Sequence, residues 1–127
     1  MITTVRKLLE TKWPALLWTL TIFIALTVST VTFERGPLYG IPNLDKLIHA
    51  FIFGVLVFLW WKYLSGKPGI IHPGLLLLIL FLLSSAYGAG MEYYQKYFTT
   101  REFELGDIYA DTVGAAISAI VCGYIKK

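Results

Sequence analysis

Two pairs of polar residues stand at helical spacing in this sequence. Asp45 and His49 are four residues apart, and Asp107 and Asp111 repeat the same step. On an α-helix this spacing places both members of a pair on one face, one turn apart. A histidine beside carboxylates can transfer protons in general acid–base catalysis, and the same groups are ligands for divalent cations. The pairs therefore indicate proton transfer or cation binding.

Further polar residues follow the same helical order. Glu92 and Gln95 lie on one face of a helix together with the small residues Ser85 and Gly88. Arg101 comes soon after them, and its planar guanidinium suits a phosphate or a carboxylate. The catalytic candidates are His49, Glu92 and Asp107, and the ligand-binding candidates are Asp45, Lys46, Gln95, Arg101 and Asp111.

A divalent cation is one option for a cofactor of this cluster. Its ligands would be His49, Glu92, Asp107 and Asp111. The sequence has no His-Glu-x-x-His motif or comparable signature, so no metal follows from the sequence with certainty.

Each polar residue also has a purely structural interpretation. Asp45 and Asp107 suit helix N-termini, where an acid caps the first turn, and Arg101 can pair with neighbouring acids in water. His49 and Asp111 lie about one turn further into apolar segments, where ionisable groups are costly and normally face a bundle interior or a functional cavity. This depth favours function, with a polar network that fixes helix register as the alternative.

Long apolar segments carry these residues. Of the 127 residues, 57% are hydrophobic and 16% are aromatic, more than a soluble domain usually contains. A helix needs about 20 apolar residues to span a bilayer. We predict four such helices, over about residues 13–33, 45–64, 73–95 and 106–125. The sequence thus predicts an all-α, polytopic integral membrane protein with four transmembrane helices in a single domain, residues 1–127.

The distribution of Lys and Arg predicts the orientation of these helices, because cytoplasmic loops are enriched in both residues. With the N-terminus in the cytoplasm, the inner side holds Arg6, Lys7, Lys12, Lys62, Lys67, Lys126 and Lys127, and the outer side holds Arg35, Lys46, Lys96 and Arg101. We therefore expect both termini inside (N-in/C-in) and the polar cluster at the extracytoplasmic face. The basic residues are scattered, which argues against nucleic-acid binding despite the net charge of +3.

Small residues predict where helices touch. Gly106, Ala110, Gly114 and Ser118 recur every four residues on the last predicted helix and form a small-residue seam that lets another helix approach closely. Gly88 offers a similar surface on the third predicted helix. If these two helices meet along the seam, carboxylates of both come together and need a compensating cation from a basic residue or a bound metal.

In their order along the chain, these motifs resemble those of the VanZ-like membrane proteins. The pattern consists of Asp45-Lys46 with His49, Glu92-x-x-Gln95, Arg101, and Asp107 with Gly114 in a small-residue helix, over roughly residues 40 to 120. Asp111 departs from it, because many members have asparagine there, and adds a negative charge. The resemblance implies a cell-envelope protein of four or so spans. The named member of that family is associated with low-level resistance to the glycopeptide teicoplanin.

These inferences lead to a functional hypothesis. We expect a multi-pass protein of a bacterial-type cytoplasmic (inner) membrane, embedded in the lipid bilayer. Its polar cluster would bind or modify an amphiphilic or lipid-linked ligand at the extracytoplasmic face, such as an envelope precursor or a glycopeptide. The alternatives are a metal-assisted membrane hydrolase or transferase and a non-catalytic polar network, so enzymatic activity stays open. Transport is disfavoured because the inner halves of the helices are almost purely apolar.

Overall fold

The computed structural model describes residues 2–28, 44–67, 69, 72–98 and 105–125, with only the backbone of residues 28, 44 and 45. Every regular element in these ranges is an α-helix, which confirms the predicted all-α class. The helices are α1 (Ile2–Leu9), α2 (Lys12–Val28), α3 (Leu44–Leu64), α4 (Pro73–Phe98) and α5 (Leu105–Ile125). The last three agree with the predicted bounds within three residues. The end of the first predicted helix, residues 29–33, lies outside the described ranges.

Three helices are long and apolar enough to cross a bilayer: Lys46–Leu64, Pro73–Phe98 and Leu105–Ile125. Helix α2 is also apolar, but it is described over only 17 residues, so the number of four spans stays a prediction. Large apolar side chains are exposed on the spanning helices, including Leu83 at 63% and Ile120 at 61%. This distribution suits surfaces that face lipid rather than water.

Helix α1 was not expected from the sequence. A turn at Glu10 and Thr11 separates it from α2, and the Thr11 hydroxyl donates a hydrogen bond to the carbonyl of Leu8 at 2.6 Å. The helix is amphipathic, with Arg6 and Lys7 in its last turn. The segment is too short for a spanning helix, and it contains both apolar and basic residues, so apolar length gave no sign of it.

Helix α3 lies against α5, and the two run in the same direction. Lys46 contacts Asp107, and Gly54, further along α3, approaches Ser118, further along α5. The small-residue seam of α5 makes this approach close, since a Cβ atom at Gly114 would overlap the backbone carbonyl of Ala50. The sequence left open which helix meets this seam, with α4 as one possibility, and the structure places α3 there. Helix α4 returns the chain and packs against both.

Two groups of apolar side chains form the core. One joins α3, α4 and α5 on the side away from the Lys46–Asp107 contact. It consists of Val57, Trp61, Leu76, Leu80, Ala115 and Cys122. The second attaches α2 to α3 and α4 and consists of Ile22, Leu26, Phe53, Leu56 and Met91. Both groups lie beside the polar residues and hold the three spanning-type helices in register around them.

Candidate functional site

Two side chains of α3 pair with two carboxylates of α5. The Lys46 ammonium donates to Asp107 Oδ1 at 2.6 Å, and His49 Nδ1 lies 2.7 Å from Asp111 Oδ1. Because α3 and α5 run in the same direction, a step of three residues on α3 matches a step of four on α5. The pairs therefore form two successive rungs between the helices.

The second ring nitrogen of His49 faces a different carboxylate. His49 Nε2 lies 3.5 Å from Asp107 Oδ2, beyond the usual N–H···O hydrogen-bond range of about 2.7 to 3.2 Å. A carboxylate accepts hydrogen bonds, so Asp111 favours the neutral tautomer that carries its proton on Nδ1. Nε2 is then the ring nitrogen that lies nearest Asp107, and it is the atom of the ring that can exchange a proton or bind a metal ion.

Glu92 brings α4 into the cluster. One ligand atom each from His49, Glu92 and Asp107 lies within 4.8 Å of the other two. Each residue comes from a different helix, namely α3, α4 and α5. This convergence is a tertiary property, because 43 positions separate His49 from Glu92 in the sequence.

The cluster is almost completely removed from solvent. His49 is 2% exposed, and Glu92, Asp107 and Asp111 are each 0% exposed. Burial of an ionised group costs several kcal/mol unless it is paired and hydrogen-bonded. Lys46 differs, since 29% of its side chain remains exposed. It therefore marks the side on which the cluster approaches the protein surface.

A glycine allows α4 to approach the carboxylate of Asp111. A Cβ atom at Gly88 would lie 2.5 Å from Asp111 Oδ2, too close for any larger residue without a shift. Asp111 Oδ2 itself is buried and has no hydrogen-bond partner among the residues that the structure describes. The predicted stripe on α4 thus contributes both Gly88, which makes room, and Glu92, which supplies a carboxylate.

Gln95 connects α4 to the first long helix. Its side chain is buried, and Nε2 donates a hydrogen bond to the carbonyl of Leu26 at 2.6 Å. None of the candidate polar side chains lies on α2. Leu26 contributes a backbone oxygen instead.

The other predicted site residues lie elsewhere or outside the described ranges. Arg101 falls in the stretch 99–104, and the side chain of Asp45 is not among those described. The second histidine, His72, is at the opposite end of α4, where its Nδ1 accepts a hydrogen bond from the Gly74 amide at 3.0 Å. The structure thus brings together five of the eight candidates: Lys46, His49, Glu92, Asp107 and Asp111.

Comparison with known proteins gives two matches. The family described as VanZ/LLP1 matches residues 3–126. The Schizosaccharomyces pombe protein "Uncharacterized protein C11E3.10" is 31% identical over 104 residues, which are 80% of this chain and 60% of that protein. The chain therefore spans about 60% of the length of this curated relative. No solved structure matches the chain.

Proposed function

The chain belongs to the VanZ/LLP1 family, and from this premise we propose that it binds an amphiphilic or lipid-linked ligand. The polar head would lie at the cluster of Lys46, His49, Glu92, Asp107 and Asp111, which we call the acidic-histidine cluster. The tail would lie along the apolar helices. The observation that carries this proposal is the burial of four ionisable side chains, His49, Glu92, Asp107 and Asp111, where three spanning-type helices meet.

Burial of this kind is costly, and that cost favours a functional role. Membrane-spanning helices rarely carry ionisable residues, and those that do usually direct them to a substrate path or cofactor site. Here His49, Asp107 and Asp111 satisfy part of their hydrogen-bonding capacity with one another. A network needed only for helix register could use neutral side chains such as asparagine at lower cost.

An apolar groove beside the cluster suits the tail of an amphiphile. It lies between α4 and α5, has a volume of about 240 Å³, and is lined by Leu77, Leu78, Phe81, Ala116, Ala119 and Ile120. The groove lies further along the helices than the cluster: Phe81 precedes Glu92 by eleven residues, which corresponds to about 16 Å along a helix. A molecule with its head at the acidic-histidine cluster can therefore extend its tail toward this groove.

If the ligand is modified, His49 is the best-placed acid or base. Asp111 binds its Nδ1 and orients the ring, and Nε2 is the nitrogen that would transfer the proton. Glu92 and Asp107 would then stabilise charge or orient the reacting group. The proposal retains Arg101 and Asp45 as contacts for a phosphate or carboxylate on the head, and Gln95 as a further polar contact at the rim.

The proposed location follows from the charge distribution. The excess of basic residues on one side supports N-in/C-in topology, with the acidic-histidine cluster at the extracytoplasmic face. In a bacterial-type inner membrane this position would give access to lipid-linked envelope precursors and to glycopeptides. The corresponding phenotype is low-level teicoplanin resistance. Expression of the chain in a sensitive bacterium should raise the inhibitory concentration of teicoplanin, and His49→Ala should abolish the increase at equal protein level.

Native mass spectrometry tests ligand binding directly. The full chain is extracted in a mild detergent, and lipids or envelope precursors that remain bound are identified by their mass. We expect His49→Ala and Glu92→Gln to lose the bound molecule. The matched controls His72→Ala and Glu10→Gln change the same residue types far from the cluster and should retain it. Retention by all four variants, or loss by all four, contradicts the proposal.

A further inference from the structure

We propose that His49 Nε2, Glu92 and Asp107 bind one divalent transition-metal ion, with Asp111 as the carboxylate that orients the histidine. This inference rests on the proposed function in that it assigns a cofactor to the same site. It goes further because it assigns three of the cluster's residues as metal ligands and gives Asp111 the separate role of orienting His49.

The distances among the three ligands fit a common ion. Metal–ligand bonds of about 2.1 Å place neighbouring ligand atoms of a tetrahedral site about 3.4 Å apart. His49 Nε2 and Asp107 Oδ2 are 3.5 Å apart, which agrees with this edge length. One Glu92 oxygen lies within 4.8 Å of a ring nitrogen of His49 and of a carboxylate oxygen of Asp107. The terminal torsion of a glutamate is broad, so rotation of this carboxylate can close the remaining distance.

Asp111 does not belong to this triad but supports it. Its Oδ1 binds His49 Nδ1 at 2.7 Å. A metal-binding histidine usually donates its other N–H to a carboxylate or carbonyl, and this bond fixes the tautomer and the direction of the ligating nitrogen. Asp111 Oδ2 is directed at the backbone of Gly88, is buried, and has no hydrogen-bond partner within the described part of the chain. The arrangement therefore holds the Asp111 carboxylate against the imidazole ring of His49.

The charges at the cluster favour a dication. Its described side chains include three carboxylates, Glu92, Asp107 and Asp111, against the single ammonium of Lys46. Lys46 contacts Oδ1 of Asp107, while Oδ2 faces the histidine. The negative charge of carboxylate ligands would stabilise a dication at this buried site.

The ligand types narrow the choice of ion. Mg²⁺ and Ca²⁺ prefer sites made entirely of oxygen atoms, whereas an imidazole nitrogen with carboxylates suits Zn²⁺ or Mn²⁺. Three protein ligands also leave at least one coordination position for water or for an oxygen of a bound head group. An open position is the feature that distinguishes catalytic from structural zinc sites.

The test uses metal alone, without added lipid. The full chain in dodecyl maltoside is stripped with a chelator, dialysed against Zn²⁺ or Mn²⁺, and analysed for metal per chain by mass spectrometry. We expect one ion per chain. His49→Ala and Glu92→Gln should weaken the affinity at least about 100-fold, more than the loss of a supporting residue causes. The controls His72→Ala and Glu10→Gln should bind as the unsubstituted chain does.

Asp111→Asn separates the supporting residue from the ligands. It should preserve the stoichiometry of one ion and weaken the affinity about 10- to 100-fold. Circular dichroism of every variant verifies folding. If His49→Ala unfolds, the metal affinities of Asp111→Asn and Glu92→Gln test the site instead. Absence of bound metal in the folded chain, or equal loss in the His72 control, overturns the inference. Metal-free chain that still retains a lipid in native mass spectrometry overturns the metal site alone and leaves the proposed function standing.

Discussion

His49 Nδ1 and Asp111 Oδ1 lie 2.7 Å apart, although 62 positions separate the two residues in the sequence. The bond joins α3 to α5 inside a region where both side chains are almost fully buried. It fixes the ring so that Nε2 faces Asp107. One hydrogen bond thus contributes both to the packing of two helices and to the chemistry of the site.

The His49–Asp111 bond predicts that substitution of its two partners lowers stability by unequal amounts. His49→Ala removes the partner of the buried Asp111 carboxylate and should lower the free energy of unfolding by about 3 to 5 kcal/mol. Asp111→Asn retains an oxygen that accepts from Nδ1, so we expect a smaller loss of about 1 to 2 kcal/mol. Unfolding in mixed micelles with increasing sodium dodecyl sulfate, followed by tryptophan fluorescence, measures both. A loss for His49→Ala no larger than that for His72→Ala would contradict the pairing.

Gly114 is predicted to be required for contact between α3 and α5. A Cβ atom there would overlap the carbonyl of Ala50, so Gly114→Ala should destabilise the fold by about 1 to 3 kcal/mol, as overpacking does. Gly123→Ala, on the same helix, meets only the Leu77 side chain at 3.6 Å, an ordinary contact, and serves as the control. The same unfolding assay applies. Equal stability of the two variants would refute the close approach at Gly114.

Gly88 is predicted to affect the site more than the fold. In Gly88→Ala the new methyl group would displace the carboxylate of Asp111, and the orientation of His49 would change with it. We expect Zn²⁺ affinity to fall about tenfold, the lower end of the effect of disturbing a supporting residue. Gly90→Ala, two residues away with open space around it, should bind metal normally. Equilibrium dialysis distinguishes the two variants, and identical affinities would exclude a role for Gly88.

Gln95 is predicted to hold α2 against α4. Gln95→Leu keeps a similar volume but removes the donor to the Leu26 carbonyl. The buried carbonyl then loses this hydrogen bond, at a cost of about 1 to 3 kcal/mol in unfolding free energy. Tyr87→Phe removes another bond between the same helices, from the tyrosine hydroxyl to the Thr19 carbonyl at 2.7 Å, and should give a loss of the same kind. If neither variant lowers the unfolding free energy, α2 is held against α4 by apolar packing alone.

Labelling of single cysteines tests the orientation. In a Cys122→Ser background, Ser65→Cys lies in the turn after α3 and Phe98→Cys lies at the other end of α4. A membrane-impermeant maleimide added to intact cells should label the Phe98→Cys variant and not the Ser65→Cys variant, because the basic residues place the turn after α3 inside. Permeabilised cells provide the control, in which both should react. If Ser65→Cys reacts in intact cells and Phe98→Cys does not, the chain has the opposite orientation in the membrane.

Much of the fold follows from local features of the sequence. Apolar length predicts α3, α4 and α5 within three residues, because the hydrophobic thickness of a bilayer sets the length of a spanning helix. Helical period likewise predicts that Asp107 and Asp111 share one face. The short α1 escaped prediction because its apolar and basic residues alternate within a segment too short for a bilayer-spanning pattern.

The partners within the site depend on which helices are neighbours, and only the tertiary structure decides that. The sequence offered Asp45 as the neighbour of His49, whereas the structure pairs His49 with Asp111 and Lys46 with Asp107. Small residues on both α3 and α5 allow a closer approach than other packings, and this contact between distant segments sets the rungs. The backbone oxygen of Leu26 has no sequence signature at all. By itself, the sequence determined which helices form and which residues are polar; helix packing determined which polar atoms meet.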